Sequence, residues 1–163
     1  MFSNDLRARA ESLLASARAK GLKIATAESC TGGLIAALLT EIPGSSDVFE
    51  RGFVTYSNEA KETMLGIPPA LIRQHGAVSE AVARAMAEGA IRNSAAQVSV
   101  AVTGIAGPGG GSDEKPIGLV YIAAARAGEA TLHRECRFGD IGRNAVRLAS
   151  VVTALEILEQ LIK

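Results

Sequence analysis

The chain has 163 residues, enough for one compact domain with a sizeable core and too few for two ordinary ones. Hydrophobic residues make up 48% of it, with no Trp and only 4% aromatic residues, so the core must be built from Ala, Val, Leu and Ile. Seventeen basic residues balance seventeen acidic ones, which removes the net field that draws a protein to nucleic acid or an anionic membrane.

Leu6, Ala10, Leu13, Leu14 and Ala17 recur at helical spacing and predict a helix from about Asn4 to about Lys20, with Gly21 at its C-terminal cap. "LKIATA" (22–27) reads as a short buried strand, and "TGGLIAALLTEI" (31–42) as a helix closed by Pro43-Gly44. "GFVTYS" (52–57), rich in β-branched and aromatic residues, predicts the next strand. "NEAKETMLG" (58–66) reads as a short helix capped by Asn58, and "PPALIRQHG" (68–76) as another brief one. Ser79 is placed to cap a longer helix whose Val82, Ala85, Met86, Gly89 and Ala90 form one small-residue face, suited to close packing within or between subunits.

In "QVSVAVTG" (97–104), Val98, Val100 and Val102 point one way and Ser99 and Ala101 the other. With both faces apolar or small, this is the expected central strand. "IGLVYIAAA" (117–125) and "ATLHREC" (130–136), joined by the short polar link "RAGE", predict an antiparallel hairpin whose second strand is an edge. A last helix from about Gly142 carries Leu148, Val151, Val152, Leu155, Leu158 and Ile162 on one face. Helices separating the early strands argue for parallel pairing, and the late hairpin adds antiparallel character. The expected fold is a single α/β domain over 1–163, a three-layer α/β/α sandwich with a mixed, mainly parallel sheet.

Cys30 and Cys136 lie far apart and form no disulfide framework. Neither a signal-like leader nor an apolar run of membrane-spanning length stands in the sequence. The expectation is a soluble protein of a reducing cytoplasm, with neither nucleic acid nor membrane as partner.

Three stretches carry chemistry. In "TAESCTGG" (26–33), Ser29 follows a strand and precedes Cys30, Thr31, Gly32, Gly33 and a helix. Ligands collect at such strand-turn-helix corners, where backbone N–H groups suit a phosphate, a carboxylate or a developing oxyanion. A capping serine with packing glycines is the plainer alternative. The second stretch, "GIAGPGGGSDEKP" (104–116), places Gly104, Gly107, Gly109, Gly110 and Gly111 directly after the central strand, where backbone donors can form an anion nest; an unstructured surface loop is the alternative. It matches neither the dinucleotide nor the triphosphate fingerprint. The third is "TYSNEAK" (55–61), where Tyr56 ends a strand and Lys61 falls one turn into the next element. A serine hydroxyl needs a base, and Lys61 can serve if burial lowers its pKa towards neutrality; otherwise it is an ordinary surface charge.

His75 and His133 are badly placed to serve Ser29, which weakens a Ser-His-Asp reading. The two histidines and two cysteines show no metal-ligand spacing, and no metal or cofactor is expected. Cys30 competes with Ser29 as nucleophile and ranks below it, since a cysteine is commonly a small buried apolar residue. Arg143 and Arg147 share one helix face and are matched in geometry to a phosphate or to neighbouring acids.

"TAESCTGG", "RGFVTYSNEAK", "HGAVSE" and "TGIAGPGGGSDEKPIG" together resemble the CinA C-terminal domain family, in order and in spacing, over nearly the whole chain. The resemblance implies an α/β/α fold and hydrolysis of the carboxamide of nicotinamide mononucleotide (NMN) to nicotinate mononucleotide and ammonia, a step in NAD recycling. It implies a Ser-Lys mechanism without metal, with Ser29 as nucleophile, Lys61 as its base and Tyr56 as auxiliary proton carrier. Backbone groups around Cys30, Thr31, Gly32 and Gly33 would hold the oxyanion, and Thr103, Gly104, Gly107 and Gly110 would embrace the nucleotide. The chain departs from the family pattern where Ile141-Gly142 intervene between Asp140 and Arg143, the candidate phosphate ligand. A homo-oligomer, most simply a dimer, is expected. Two other readings remain: a nucleotide- or partner-binding module without chemistry, and an amidohydrolase for another small amide.

Overall fold

The computed structural model describes residues 1–163. Helix α1 (Asn4–Ala19) opens where the Ser3 hydroxyl accepts the Leu6 N–H and closes as Gly21 turns to φ +65°. Five strands follow among five more helices: β1 (Ile24–Glu28), α2 (Leu34–Thr40), β2 (Phe49–Val54), α3 (Asn58–Leu65), α4 (Pro69–His75), α5 (Glu80–Arg92), β3 (Val98–Gly104), β4 (Leu119–Arg126), β5 (Leu132–Arg137) and α6 (Arg143–Ile162). They form one sheet in the order β2-β1-β3-β4-β5, with β3 at its centre and β5 at an edge.

The sheet is mixed, as expected, but not mainly parallel. β1 runs parallel to β2 and β3, whereas β3–β4 and β4–β5 are antiparallel. The reason lies in the Gly-rich segment: it joins β3 directly to β4 with no crossover helix, and a connection of that kind returns the chain antiparallel.

The alternation in β3 sorts two cores onto the two faces of the sheet. Val98, Val100 and Val102 join Ile24, Val120 and Ile122 under α1, α2 and α6. Ala25, Ala27, Ala101, Ala123 and Ala125 lie under the helices of the other layer, α3, α4 and α5. The alanine floor lets α5 sit low, and a Cβ at Gly89 would overlap the Leu65 carbonyl. The small-residue face of α5 is therefore consumed inside the chain, packed on the sheet and on α3.

Several local details differ from expectation. β2 begins at Phe49, three residues before the expected start, and ends at Val54, three residues before the expected end. The cap of α3 is then Ser57, whose hydroxyl accepts the Ala60 N–H at 3.0 Å, rather than Asn58. α2 starts only at Leu34, because Gly32 (φ +58°) and Gly33 (φ +99°) carry the chain through left-handed backbone that other residues rarely adopt. Leu148 is 38% exposed rather than core, since the buried stripe of α6 runs through Val146, Ser150, Val151, Ala154 and Leu155 and leaves Leu148 at its flank. No helix is long and apolar enough to cross a membrane.

Candidate active site

Parallel pairing of β1 with β2 sets the site. Glu28 stands opposite Val54, so the two strands end side by side, and the Thr55 N–H continues the ladder to the Glu28 carbonyl at 2.9 Å. The Ser29 N–H likewise donates to the Val102 carbonyl of β3 at 2.9 Å. Ser29 and Thr55 thus leave the sheet together. Ser57 then caps α3, and one turn on, Lys61 points back at both. Its Nζ lies 2.9 Å from Ser29 Oγ and donates to the Thr55 carbonyl at 2.7 Å.

Lys61 is 1% exposed. Burial pushes its pKa down from 10.5 to about 8, with the neighbouring Cys30 acting weakly the other way. No carboxylate forms a salt bridge with it. An amine in this state gains a lone pair near neutrality and still donates to the Thr55 carbonyl. Cys30 behaves oppositely: burial raises its thiol pKa to about 11, so it has negligible thiolate character. Of the two adjacent side chains, only the Ser29 hydroxyl is hydrogen-bonded to the Lys61 amine.

The turn after Ser29 supplies donors. Gly32 N–H is spent on the Ser29 carbonyl at 3.0 Å, whereas the N–H groups of Cys30, Thr31 and Gly33 donate to no acceptor in the chain. The first turn of α2 is not open to a ligand, because the buried Glu28 carboxylate accepts the Ile35 and Ala36 N–H groups at 2.8 and 3.0 Å. Sequence reasoning missed this role of Glu28: a strand-end acid seven residues before a helix amide has no local signature. Thr31 and Thr55 each bury a hydroxyl without a partner.

Tyr56 is 62% exposed and hydrogen-bonds neither Ser29 nor Lys61; instead its hydroxyl accepts from Arg143 Nη2 at 2.9 Å. Arg143 Nη1 donates to the Gly107 carbonyl at 2.9 Å and so ties the Gly-rich loop to the end of β2. That loop is an ordered hairpin connection: Ile105 bonds Leu119, Gly118 bonds Ile105, and Ser112 bonds Lys115. Gly107 (φ +81°) and Gly110 (φ +86°) adopt left-handed backbone, and their N–H groups have no acceptor in the chain. Gly104 instead serves packing, since a Cβ there would sit 2.7 Å from Val120. The Thr103 hydroxyl donates to the Ala77 carbonyl at 2.8 Å, which fastens "HGAVSE" to the strand end and leaves that proton unavailable to a ligand.

Arg147 reaches the Ser29 turn, donating to the Cys30 and Thr31 carbonyls at 3.1 and 3.2 Å. His75 and His133 are elsewhere: His75 lies at the end of α4, while His133 stacks on Tyr121 beside Glu80. No three His, Cys, Asp or Glu side chains gather in a way that would hold a metal. The largest cleft, about 510 Å³ between Gly111–Asp113 and Arg137–Asp140, contains neither Ser29 nor Lys61.

Residues 6–162 match the CinA C-terminal domain. The chain is 49% identical over 161 residues to nicotinamide-nucleotide amidohydrolase PncC of Escherichia coli strain K12, covering 98% of this chain and 96% of that protein. A CinA-like protein of Geobacter sulfurreducens is 54% identical over 144 residues, which are 88% of this chain and 34% of that longer protein. Among solved structures, competence/damage inducible protein CihA from Agrobacterium tumefaciens matches with a TM-score of 0.98 at 53% identity, over 100% of this chain and 99% of that one. The four motif blocks, the sheet order and these likenesses agree: the chain belongs to the CinA C-terminal domain family.

Proposed function

We propose that this protein hydrolyses the carboxamide of NMN to nicotinate mononucleotide and ammonia through an acyl-enzyme on Ser29. The observation that carries the reading is the 2.9 Å approach of the buried Lys61 amine to Ser29 Oγ, in a chain half identical to a nicotinamide-nucleotide amidohydrolase. Neutral Lys61 accepts the Ser29 proton as Oγ attacks the amide carbon. The oxyanion meets the N–H groups of the Cys30–Gly33 turn that have no other acceptor. The Lys61 ammonium returns its proton to the departing amine, and ammonia leaves. Water, deprotonated by the same amine, then attacks the ester and frees Ser29.

In this reading Lys61 alone moves protons. Tyr56 is held by Arg143. Arg143 and the unpaired N–H groups of Gly107 and Gly110 are the ligands offered to the substrate phosphate, where bonds from the guanidinium to an anion would replace those Arg143 now makes to uncharged acceptors. Free Cys30 and Cys136 suit a reducing cytoplasm. The homo-oligomer remains part of the reading, to be checked by sedimentation.

The test is ammonia release from NMN by the purified protein. Ser29→Ala and Lys61→Ala are each expected to lower it at least about 10³-fold. Tight NMN binding with no ammonia from the wild type would replace the enzyme with a binding module. Release from other amides but not NMN would change the substrate and keep the dyad.

A further inference from the structure

We propose that Arg147 is a positioning residue that holds and polarises the turn receiving the oxyanion; the inference rests on Ser29 being the nucleophile. The turn has two kinds of amide. Gly32 N–H closes it onto the Ser29 carbonyl, while those of Cys30, Thr31 and Gly33 are unspent. Arg147 acts on the carbonyl side of the same peptide units, with Nε on the Cys30 carbonyl at 3.1 Å and Nη2 on the Thr31 carbonyl at 3.2 Å.

The Cys30 carbonyl and the Thr31 N–H belong to one peptide group. A cationic donor on that carbonyl draws electron density along the amide and makes the Thr31 N–H a stronger donor. The Thr31 carbonyl shares its peptide group with the Gly32 N–H, so the second contact strengthens the bond that closes the turn. The planar fork spans two successive carbonyls, which a lysine ammonium on a single point cannot reproduce. From the other side, Glu28 pins the first turn of α2 through Ile35 and Ala36. The turn is therefore clamped between an acid on its helix amides and an arginine on its carbonyls. Gly32 fits this clamp: a Cβ there would lie 3.3 Å from Arg147 Nη2.

The experiment reads Ser29 directly with a fluorophosphonate probe, beside NMN turnover. In labelling, Ser29 Oγ forms a bond to phosphorus, the P–F bond breaks, fluoride leaves, and Lys61 takes the serine proton. The phosphoryl oxygen needs the same donors as the amide oxyanion. Arg147→Ala is expected to slow both labelling and kcat by about 10- to 100-fold, the scale of a misplaced reacting group, with KM and the pH midpoint unchanged. A cleft of about 280 Å³ lined by Met1, Leu34, Asn144, Arg147 and Leu148 gives small solutes access, so guanidinium ion should restore part of the lost rate and methylammonium should not. If Arg147→Ala does not fold, Arg147→Lys carries the test and is expected to lose at least about tenfold.

A folded variant that labels at the wild-type rate, loses only KM, or is not rescued by guanidinium overturns the proposal. Wild-type protein that labels on Ser29 without consuming NMN would defeat the substrate reading and leave this inference standing. Wild-type protein that does not label at all would defeat both.

Discussion

Replacing Lys61 by Met should abolish activity and yet stabilise the protein at neutral pH. Burial lowers the amine from 10.5 to about 8. At ~1.4 kcal/mol for each pH unit, keeping it charged in the fold at pH 7 costs about 3 kcal/mol. Met fills a similar volume without charge but forfeits the contacts to Ser29 Oγ and the Thr55 carbonyl, together worth about 2 kcal/mol. The variant is thus expected to be about 1 kcal/mol more stable near pH 7. An amine whose folded pKa is depressed binds fewer protons folded than unfolded between about 8 and 10.5, so wild-type stability rises with pH across that window. Moving to about pH 9.5 should return about 2 kcal/mol to the wild type and make the variant the less stable of the two. Urea unfolding of both proteins at the two pH values measures this. A difference between them that stays constant with pH would refute the buried, depressed amine on which the mechanism relies.

Other consequences are as direct. kcat/KM for NMN should climb with pH through a midpoint near 8 to a plateau, because the competent base is the neutral form of Lys61 and is lost as pH falls. Iodoacetamide at neutral pH should leave activity intact, since Cys30 is buried and its thiol is held near 11; rapid inactivation with Cys30 alkylated would return the nucleophile question to that cysteine. Glu28→Gln turns an amide donor towards one of the two N–H groups, of Ile35 or of Ala36, and should cost about 1–3 kcal/mol of stability, seen as a lower Tm. An unchanged Tm would mean that the acid does not pin α2.

The layers of the fold were legible wherever periodicity was strong. Alternation in β3 told both faces of the central strand apart, and the heptad-like spacing of α1 placed its core side without error. Boundaries slipped where one residue type serves two purposes. Gly32 and Gly33 look like a helix start but are turn residues, and Ser57 and Asn58 compete as caps until β2 fixes where the chain leaves the sheet. At the site, Ser29 and Lys61 were identifiable by type, and their meeting follows from β1 and β2 being parallel neighbours. The contacts of Arg147, more than a hundred residues from the turn it holds, and of Glu28 depend on packing across layers. Nothing local in the sequence encodes them. The bond from Arg143 to Tyr56 is of the same kind.

The central claim is that the Lys61 amine makes Ser29 an acyl acceptor for a nucleotide amide. Rapid acid quench of the protein turning over NMN, followed by mass spectrometry of the peptide spanning Ser29, tests it most directly. The account predicts a nicotinate mononucleotide ester on Ser29 that accumulates in step with a burst of ammonia and is absent from Lys61→Ala. Ammonia released at full rate by Ser29→Ala protein, with no adduct on the wild-type peptide, would contradict it.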